Sequence, residues 1–271
     1  MRRRVWRFMA ACVCASAASA APAGPGDVDA RAPRVASLNL CTDEFVLLLA
    51  EPEQIVSVTH LAQDRHEFPW WRSARLYTAN DGSVASVAAD QPDIILTMGG
   101  TGRDQQRLAR AIDAELVVIP FPQDLAAIEE AIGTVAARLE QPARGRRVLR
   151  QFGALMRTRP EVETEGVFLS GGGQSAAAGG IADQWLSLAG VDQPDDQGFR
   201  MTAEQLLRDP PGLVIRSDYR RNQTSRGNFW PGFRILRRLA VRQIATDGRR
   251  WTCAGPSLIP EIRRLRAALA G

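Results

Sequence analysis

The stretch "RVASLNLCTDEFVLLLA", residues 34–50, joins a strand to a helix through a short polar loop. Val35–Leu40 is a largely apolar run of strand length. Asp43–Ala50 reads as a helix with Thr42 as N-cap and two acids in its first turn, where the helix dipole favours them. The pattern returns later in the chain. "TDEFVLLLA" (42–50) is echoed by "ADQWLSLAG" (182–190), setting Asp43 against Asp183 and Phe45 against Trp185. "SVASVAADQPDIILTM" (83–98) is echoed by "TAEQLLRDPPGLVIRS" (202–217), each a short helix, a stop containing Asp and Pro, and a buried strand. Two echoes in the same order imply a duplicated α/β lobe.

Apolar runs predict strands at Val35–Leu40, Ile55–Thr59, Ile94–Met98, Leu116–Ile119, Gly166–Ser170, Leu213–Arg216 and Gln243–Ala245. They alternate with helical segments, so the fold class is α/β with mainly parallel sheets. Leu125–Leu139 has helical periodicity, stops at Gln141-Pro142 and resumes from Ala143 to about Thr158. Pro142 suits a first helical turn. The domain plan is therefore an N-terminal lobe over 34–140, a bridging helix over 141–160 and a C-terminal lobe over 161–271. A helical bridge resists bending, so the lobes are expected to move little.

The opening residues set the compartment. Arg2, Arg3, Arg4 and Arg7 precede a small, apolar run that ends in Ala-x-Ala patterns, the form of a cleavable signal peptide over residues 1–20. Residues 21–33 read as a flexible leader. The signal holds four arginines and no acid, so the formal charge of +4 falls to about zero in the exported chain. Nucleic-acid binding is not indicated. All 34 basic residues are arginine, which excludes P-loop and Schiff-base chemistry, because both need a lysine.

Cys12 and Cys14 lie in the signal, leaving Cys41 and Cys253 in an oxidising compartment, where two thiols most often become one bridge. Two separate buried thiols are the alternative. A third reading is a secreted hydrolase with Cys41 as a nucleophile acidified by a helix N-terminus and His60 or His66 as base.

Ligands of open α/β sheets bind beyond the carboxyl ends of the strands. The loops there carry Asn39, Cys41, His60, Gly100, Arg103, Gly173, Gln174, Arg216, Tyr219 and Arg220. "GGTGRD" (99–104) and "SGGGQSAAAGG" (170–180) let a backbone approach a ligand closely. Trp70, Trp71, Tyr77 and Trp230 fall in predicted loops, where rings either stack on a large ligand or cover the lobe. His60 and His66, six apart, do not have metal-ligand spacing, so no metal site is expected. Residues 34–140 carry eight Arg and sixteen acids, whereas 216–250 carry ten Arg and two acids, placing positive charge where a ligand carboxylate could meet it.

"RVASLNLCTDEFVLLLAEPEQIVSVT", "VAADQPDIILT", the helical bridge, "MTAEQLLRDPPGLVI" and "RRWTCAGPSLIPEIRRLRAAL" together resemble the helical-backbone periplasmic binding proteins of ABC importers for vitamin B12, ferric siderophores and heme. "SLNLCTDE" and "WTCAGP" resemble the cobalamin branch. The resemblance implies two Rossmann-like lobes joined by one long α-helix, a shallow cleft, no enzymatic activity and no cofactor. The ligand would be a metal chelate, a corrinoid or a ferric siderophore, bound by a monomer in the periplasm and delivered to the permease subunits. A sensor that binds the same ligand for a signalling partner is a variant of this reading. The family docks through one surface glutamate per lobe. Glu204 matches that position in the C-terminal lobe, but Ala85 occupies it in the N-terminal lobe, leaving Glu44 as a substitute. The tryptophan of cobalamin binders falls near Ala79 and Asn80, whereas Tyr77 lies near the axial tyrosine of heme-binding relatives, so heme is the alternative ligand. If Cys41 and Cys253 form the bridge rather than two separate buried thiols, it is expected beside the cleft, pinning the lobes.

Overall fold

The computed structural model describes residues 31–161, 164–196, 198–219, 230–239 and 241–271. The signal peptide, most of the leader and Arg220 lie outside the described residues. Five strands, β1 (Val35–Ser37), β2 (Ile55–Thr59), β3 (Thr78–Asn80), β4 (Ile94–Met98) and β5 (Glu115–Ile119), form a parallel sheet in the order β3-β2-β1-β4-β5. The order reverses at β1, which pairs with β2 on one side and β4 on the other. A crevice therefore opens beyond the carboxyl ends of β1 and β4. Parallel strands covered on both faces are apolar throughout, and β4 is buried along its whole length.

Helices α1 (Leu40–Leu49), α2 (Trp71–Ala74), α3 (Val84–Val87) and α4 (Arg103–Ala111) connect these strands. Helix α1 begins at Leu40 rather than Asp43, because Asn39 is its cap and not Thr42. The Asn39 Oδ1 accepts from Thr42 N at 3.0 Å, and the Thr42 hydroxyl accepts from Asn39 N at 3.4 Å. Reciprocal capping satisfies two donors that a helix end leaves orphaned. It also ends the strand at Ser37, three residues earlier than the apolar run suggests.

Helices α5 (Leu125–Arg138) and α6 (Pro142–Arg157) form a hairpin, with Pro142 in the first turn of α6. The bridging helix α6 thus lies along α5, and the approach is close. A Cβ at Gly145 would sit 2.5 Å from the Ala136 methyl carbon.

The C-terminal half follows as β6 (Thr164–Glu165), β7 (Val167–Leu169), α7 (Ile181–Ala189), β8 (Val191–Asp192), α8 (Ala203–Arg208), β9 (Leu213–Ser217), α9 (Pro231–Arg238), β10 (Arg242–Thr246) and α10 (Leu258–Ala270). Its strands pair in parallel as β10-β9-β7 and β6-β8. Gln193 Oε1 accepts from Phe168 N at 3.1 Å, fastening β7 to the residue after β8.

The internal echoes are structural. β1-α1-β2 corresponds to β7-α7-β8, and α3-β4-α4-β5 to α8-β9-α9-β10. Asp43 accepts from Thr59 N (3.1 Å) and Oγ1 (2.5 Å) at the end of β2. Asp183 accepts from Gln193 Nε2 at 2.8 Å just past β8. Each aspartate buckles the first turns of its helix to the end of the following strand. Phe45 and Trp185 both point into the core, at 2% and 0% exposure.

One buried cluster contains Phe45, Ile132, Phe152, Trp185, Ile215 and Ile262, so the five-stranded and three-stranded sheets share a core. The Phe152 and Trp185 rings, 5.4 Å apart, join α6 to α7. Ala32–Gly271 accordingly forms a single compact unit. No described helix is long and apolar enough to cross a membrane.

Gly145→Val tests the α5–α6 contact. Overpacking costs about 1–3 kcal/mol, which in a domain of this size lowers Tm by roughly 2–12 °C. Thermal denaturation should show that drop as one transition, and an unchanged Tm would mean that the hairpin is loosely packed.

Candidate functional site

The lobes meet along a seam that begins at the loop after β1. Cys41, in the first turn of α1, is bonded to Cys253, with Cα atoms 5.3 Å apart and 212 residues between them. The expected bridge is present. It also removes the thiolate that a Cys41 nucleophile requires, so the hydrolase reading fails on this geometry.

One turn further along α1, Glu44 accepts a hydrogen bond from Ser257 N at the start of α10. Glu44 is 2% exposed. It is therefore not a surface residue on which a permease could dock, and that expectation is corrected. Its first-turn position reads as exposed in the sequence, but α1 is buried over Thr42–Val46 and has no solvent face there. Burial pushes the Glu44 carboxyl up to about 7, against the opposing pull of the Ser257 bonds and Arg250. Burial likewise raises Asp43 to about 6, against its bonds from Thr59 and Ser37. Gly255 completes the joint, because a Cβ there would lie 2.8 Å from Glu44 Oε2.

Two further contacts cross the seam. Tyr219, just past β9, donates to Glu67 Oε2 at 2.6 Å. Arg249 Nη1 donates to the carbonyls of Arg65 (2.7 Å) and Phe68 (3.3 Å). Asp247 orients Arg249 with two bonds, Nε to Oδ1 at 2.8 Å and Nη2 to Oδ2 at 2.7 Å. Burial opposes the Asp247 charge, yet the Arg249 and Arg250 guanidiniums hold its carboxyl below the usual range.

The predicted site residues divide by what they touch. Asn39 stands at the crevice, but its Nδ2 bonds Thr97 Oγ1 (3.2 Å) and Met98 O (3.3 Å), so its amide ties β1 to β4. Gly100 is exposed on the β4–α4 loop, Arg103 is exposed at the first position of α4, and Gln174 is exposed after β7. His60 is exposed, with Nδ1 donating to the Asn80 carbonyl at 3.1 Å. Arg216 is held by Asp218 (3.0 Å) and Gln243 (3.4 Å), so its charge is already met. Trp70 packs edge-on to Phe68, and Trp71 lies under the guanidiniums of Arg72 and Arg75. Both tryptophans therefore cover the N-terminal lobe.

Four expectations are corrected by burial or by position. Asn80 is buried, its Nδ2 donating to Ser37 O (2.9 Å) and Ser57 Oγ (2.7 Å) across three strands. Trp230, 8% exposed, belongs to the C-terminal core with Phe233. Gly173 has φ +76°, and a Cβ there would meet Met201 O at 2.4 Å. Its glycine serves a close backbone crossing rather than an anion cradle. Tyr77 precedes β3, near Glu53 and Arg144, at the amino edge of the sheet and away from the crevice. It is not placed as an axial ligand. Among the described residues no group of three His, Cys, Asp or Glu could hold a metal.

Sequence reasoning missed Phe199 and Trp251. Both line a cavity of about 380 Å3 in the C-terminal lobe that also touches Phe168, Ser217, Tyr219 and Thr252. Phe168 and Trp251 were legible only as generic apolar residues. Their rings lie 4.8 Å apart.

No family model matches the chain, and no curated protein matches it. Solved structures do. The periplasmic heme-binding protein RhuT from Roseiflexus sp. RS-1, in apo form, has a TM-score of 0.64 at 20% identity over 88% of this chain and 97% of that one. The periplasmic heme-binding protein HutB of Vibrio cholerae gives 0.65 at 17% identity, covering 88% and 99%. The periplasmic vitamin B12 binding protein BtuF of Vibrio cholerae gives 0.63 at 14%, covering 88% and 97%. The chain has their fold. In this fold the Cys41–Cys253 bridge and the Glu44–Ser257 bond join α1 to the segment leading into α10.

The sign of the pH effect at that joint is fixed. The folded-state carboxyl of Glu44, at about 7, lies above its ordinary value of 4.5. Its stabilising contribution is full below about pH 4.5 and is lost as pH rises through 7. Glu44→Gln keeps an acceptor for Ser257 N without the charge. Its Tm should equal that of the parent near pH 4 and exceed it at pH 8, and a parent more stable than the variant at pH 8 would contradict the assignment.

Proposed function

We propose that the chain is a periplasmic solute-binding protein that captures a metal chelate, a corrinoid or a ferric siderophore, between lobes spanning 34–140 and 161–271, and delivers it to an inner-membrane ABC importer. The observation that carries this reading is the seam itself. The five-stranded and three-stranded parallel sheets are held at their carboxyl ends by a covalent bridge, a buried carboxylate and two cross-lobe hydrogen-bond contacts. Such a body is suited to preformed binding with little motion, and its crevice sits at the switch point where open α/β sheets take ligands. Export through residues 1–20 places it in the periplasm, where the bridge persists.

Docking on the permease falls to Glu204. It is exposed at the second position of α8, whose cap Thr202 accepts from Gln205 N. Ala85 holds the same position in α3, capped by Ser83, and is also exposed. The pseudo-equivalent surfaces therefore differ by one charge, and docking is asymmetric. Heme is the second ligand reading, because RhuT and HutB match as well as BtuF does.

Titration with cyanocobalamin, hemin and a panel of ferric siderophores, read by tryptophan fluorescence and Tm, tests the class. One chelate should bind with a Kd of about 1 μM or tighter and raise Tm by mass action. Unchanged fluorescence and Tm with every chelate would refute the ligand class.

A further inference from the structure

Helix α6 carries five arginines and no acid over its 16 residues. Gly145, Val148, Phe152 and Leu155 form its buried stripe. At 3.6 residues per turn, Arg146, Arg150 and Arg157 fall within about 40° of one another on the opposite side, and Arg147 lies beside them. All four are exposed, and among the described residues none makes an ion pair or a hydrogen bond. The row from Arg146 to Arg157 is about 16 Å long.

Neighbouring α10 widens the patch. Arg263 donates to Gln151 O at 3.2 Å, and Arg266 donates to Leu155 O and Thr158 Oγ1, both at 2.8 Å. These bonds end on neutral acceptors, so both charges remain. Burial, and next the charge of Arg263, lowers Arg266 from its usual value. Glu51, near enough to Arg147 to feel its charge, is already paired with Arg144. The exposed acids of α5, Glu129 and Glu130, pair with none of these arginines. Like charges four apart on a helix, as at Arg146 and Arg150, destabilise it. A row of them is offset by an anionic partner outside the fold.

The direction of the row is set by where α6 runs. Ahead of its first turn, Gln141 Nε2 donates to Gln54 Oε1 at 2.8 Å, just before β2. Past its last turn Pro160 packs on Gly190, just before β8, where a Cβ would lie 3.0 Å from Pro160 Cγ. Helix α6 therefore crosses the amino ends of strands in both halves. The crevice lies beyond the carboxyl ends, so the arginine row faces away from it. Ala143, Gly153 and Ala154 stand among the arginines, with no large apolar side chain to insert between acyl chains. A guanidinium fork matches phosphate oxygens, and a straight row on one helix face matches a plane of headgroups.

We propose that the outer face of α6, with Arg263 and Arg266 of α10, rests on an anionic phospholipid bilayer and leaves the crevice open to the opposite side. This docking is independent of what the crevice binds.

Protein purified from the periplasm is mixed with vesicles of phosphatidylcholine alone or with about 30 mol% phosphatidylglycerol. Flotation should recover it with the anionic vesicles at about 0.05 M salt and release it at about 0.5 M. Arg146→Gln/Arg150→Gln/Arg157→Gln should weaken partitioning about 100-fold, and no less than tenfold, with Tm unchanged. Arg107→Gln/Arg110→Gln/Arg208→Gln removes the same charge from other exposed helices and should partition as the parent does. In a phenylglyoxal footprint, anionic vesicles should protect Arg146, Arg150 and Arg157 but not Arg103. Equal binding to both vesicle types, equal losses in the two triple variants, protection of Arg103 instead, or tighter binding to duplex DNA than to anionic vesicles would each overturn the proposal and leave the solute-binding reading intact.

Discussion

The joint between α1 and the start of α10 fixes how the two halves meet. A disulfide links Cys41 to Cys253, and one turn along the same helix Glu44 receives Ser257 N. Closing a loop of this length removes chain entropy from the unfolded state, a contribution of at most about 5 kcal/mol. The covalent bond sets distance, and the buried carboxylate sets direction, because it aims at the backbone N–H that opens α10. Gly255 is required between them, since any side chain would strike Glu44. A buried acid with a raised pKa is a poor source of stability at neutral pH. Its place at this joint is better understood as specifying geometry.

From that joint the remaining architecture follows. The shared core around Phe152 and Trp185 leaves little freedom for a hinge, and the α5–α6 hairpin stiffens the connector. The cross-lobe bonds of Tyr219 and Arg249 lie next to two cavities, one lined by arginines and acids, the other lined among the described residues by aromatic and uncharged side chains. On the proposed solute-binding reading, recognition would come from preset surfaces, and the identity of the ligand would be written in side chains rather than in a closing motion.

Much of the architecture was legible in the sequence. Buried parallel strands such as "IILTM" announce themselves as apolar runs, and the two internal echoes correspond to the same elements in each lobe. Strands β3, β6 and β8 were not legible, because two or three residues are too few to show a period. The start of α1 was misread because Asn39 and Thr42, three residues apart, both have cap chemistry, and Asn39 is the cap with Thr42 closing the capping box. The site was less readable. Asn80, Trp230 and Tyr77 have the chemistry of ligand contacts, but burial and sheet polarity assign them to the scaffold. Phe199 carried no signal at all, since a single phenylalanine in a polar loop becomes informative only when the backbone around it is seen.

The most direct test of a preset chelate receptor is the mass and visible spectrum of the native protein taken from its own periplasm. The account predicts a disulfide-intact monomer carrying one non-covalent chelate, with absorption that identifies a corrinoid, a ferric siderophore or heme. A protein that emerges with free thiols at Cys41 and Cys253, or without any chelate after growth in medium supplemented with all three classes, would contradict it.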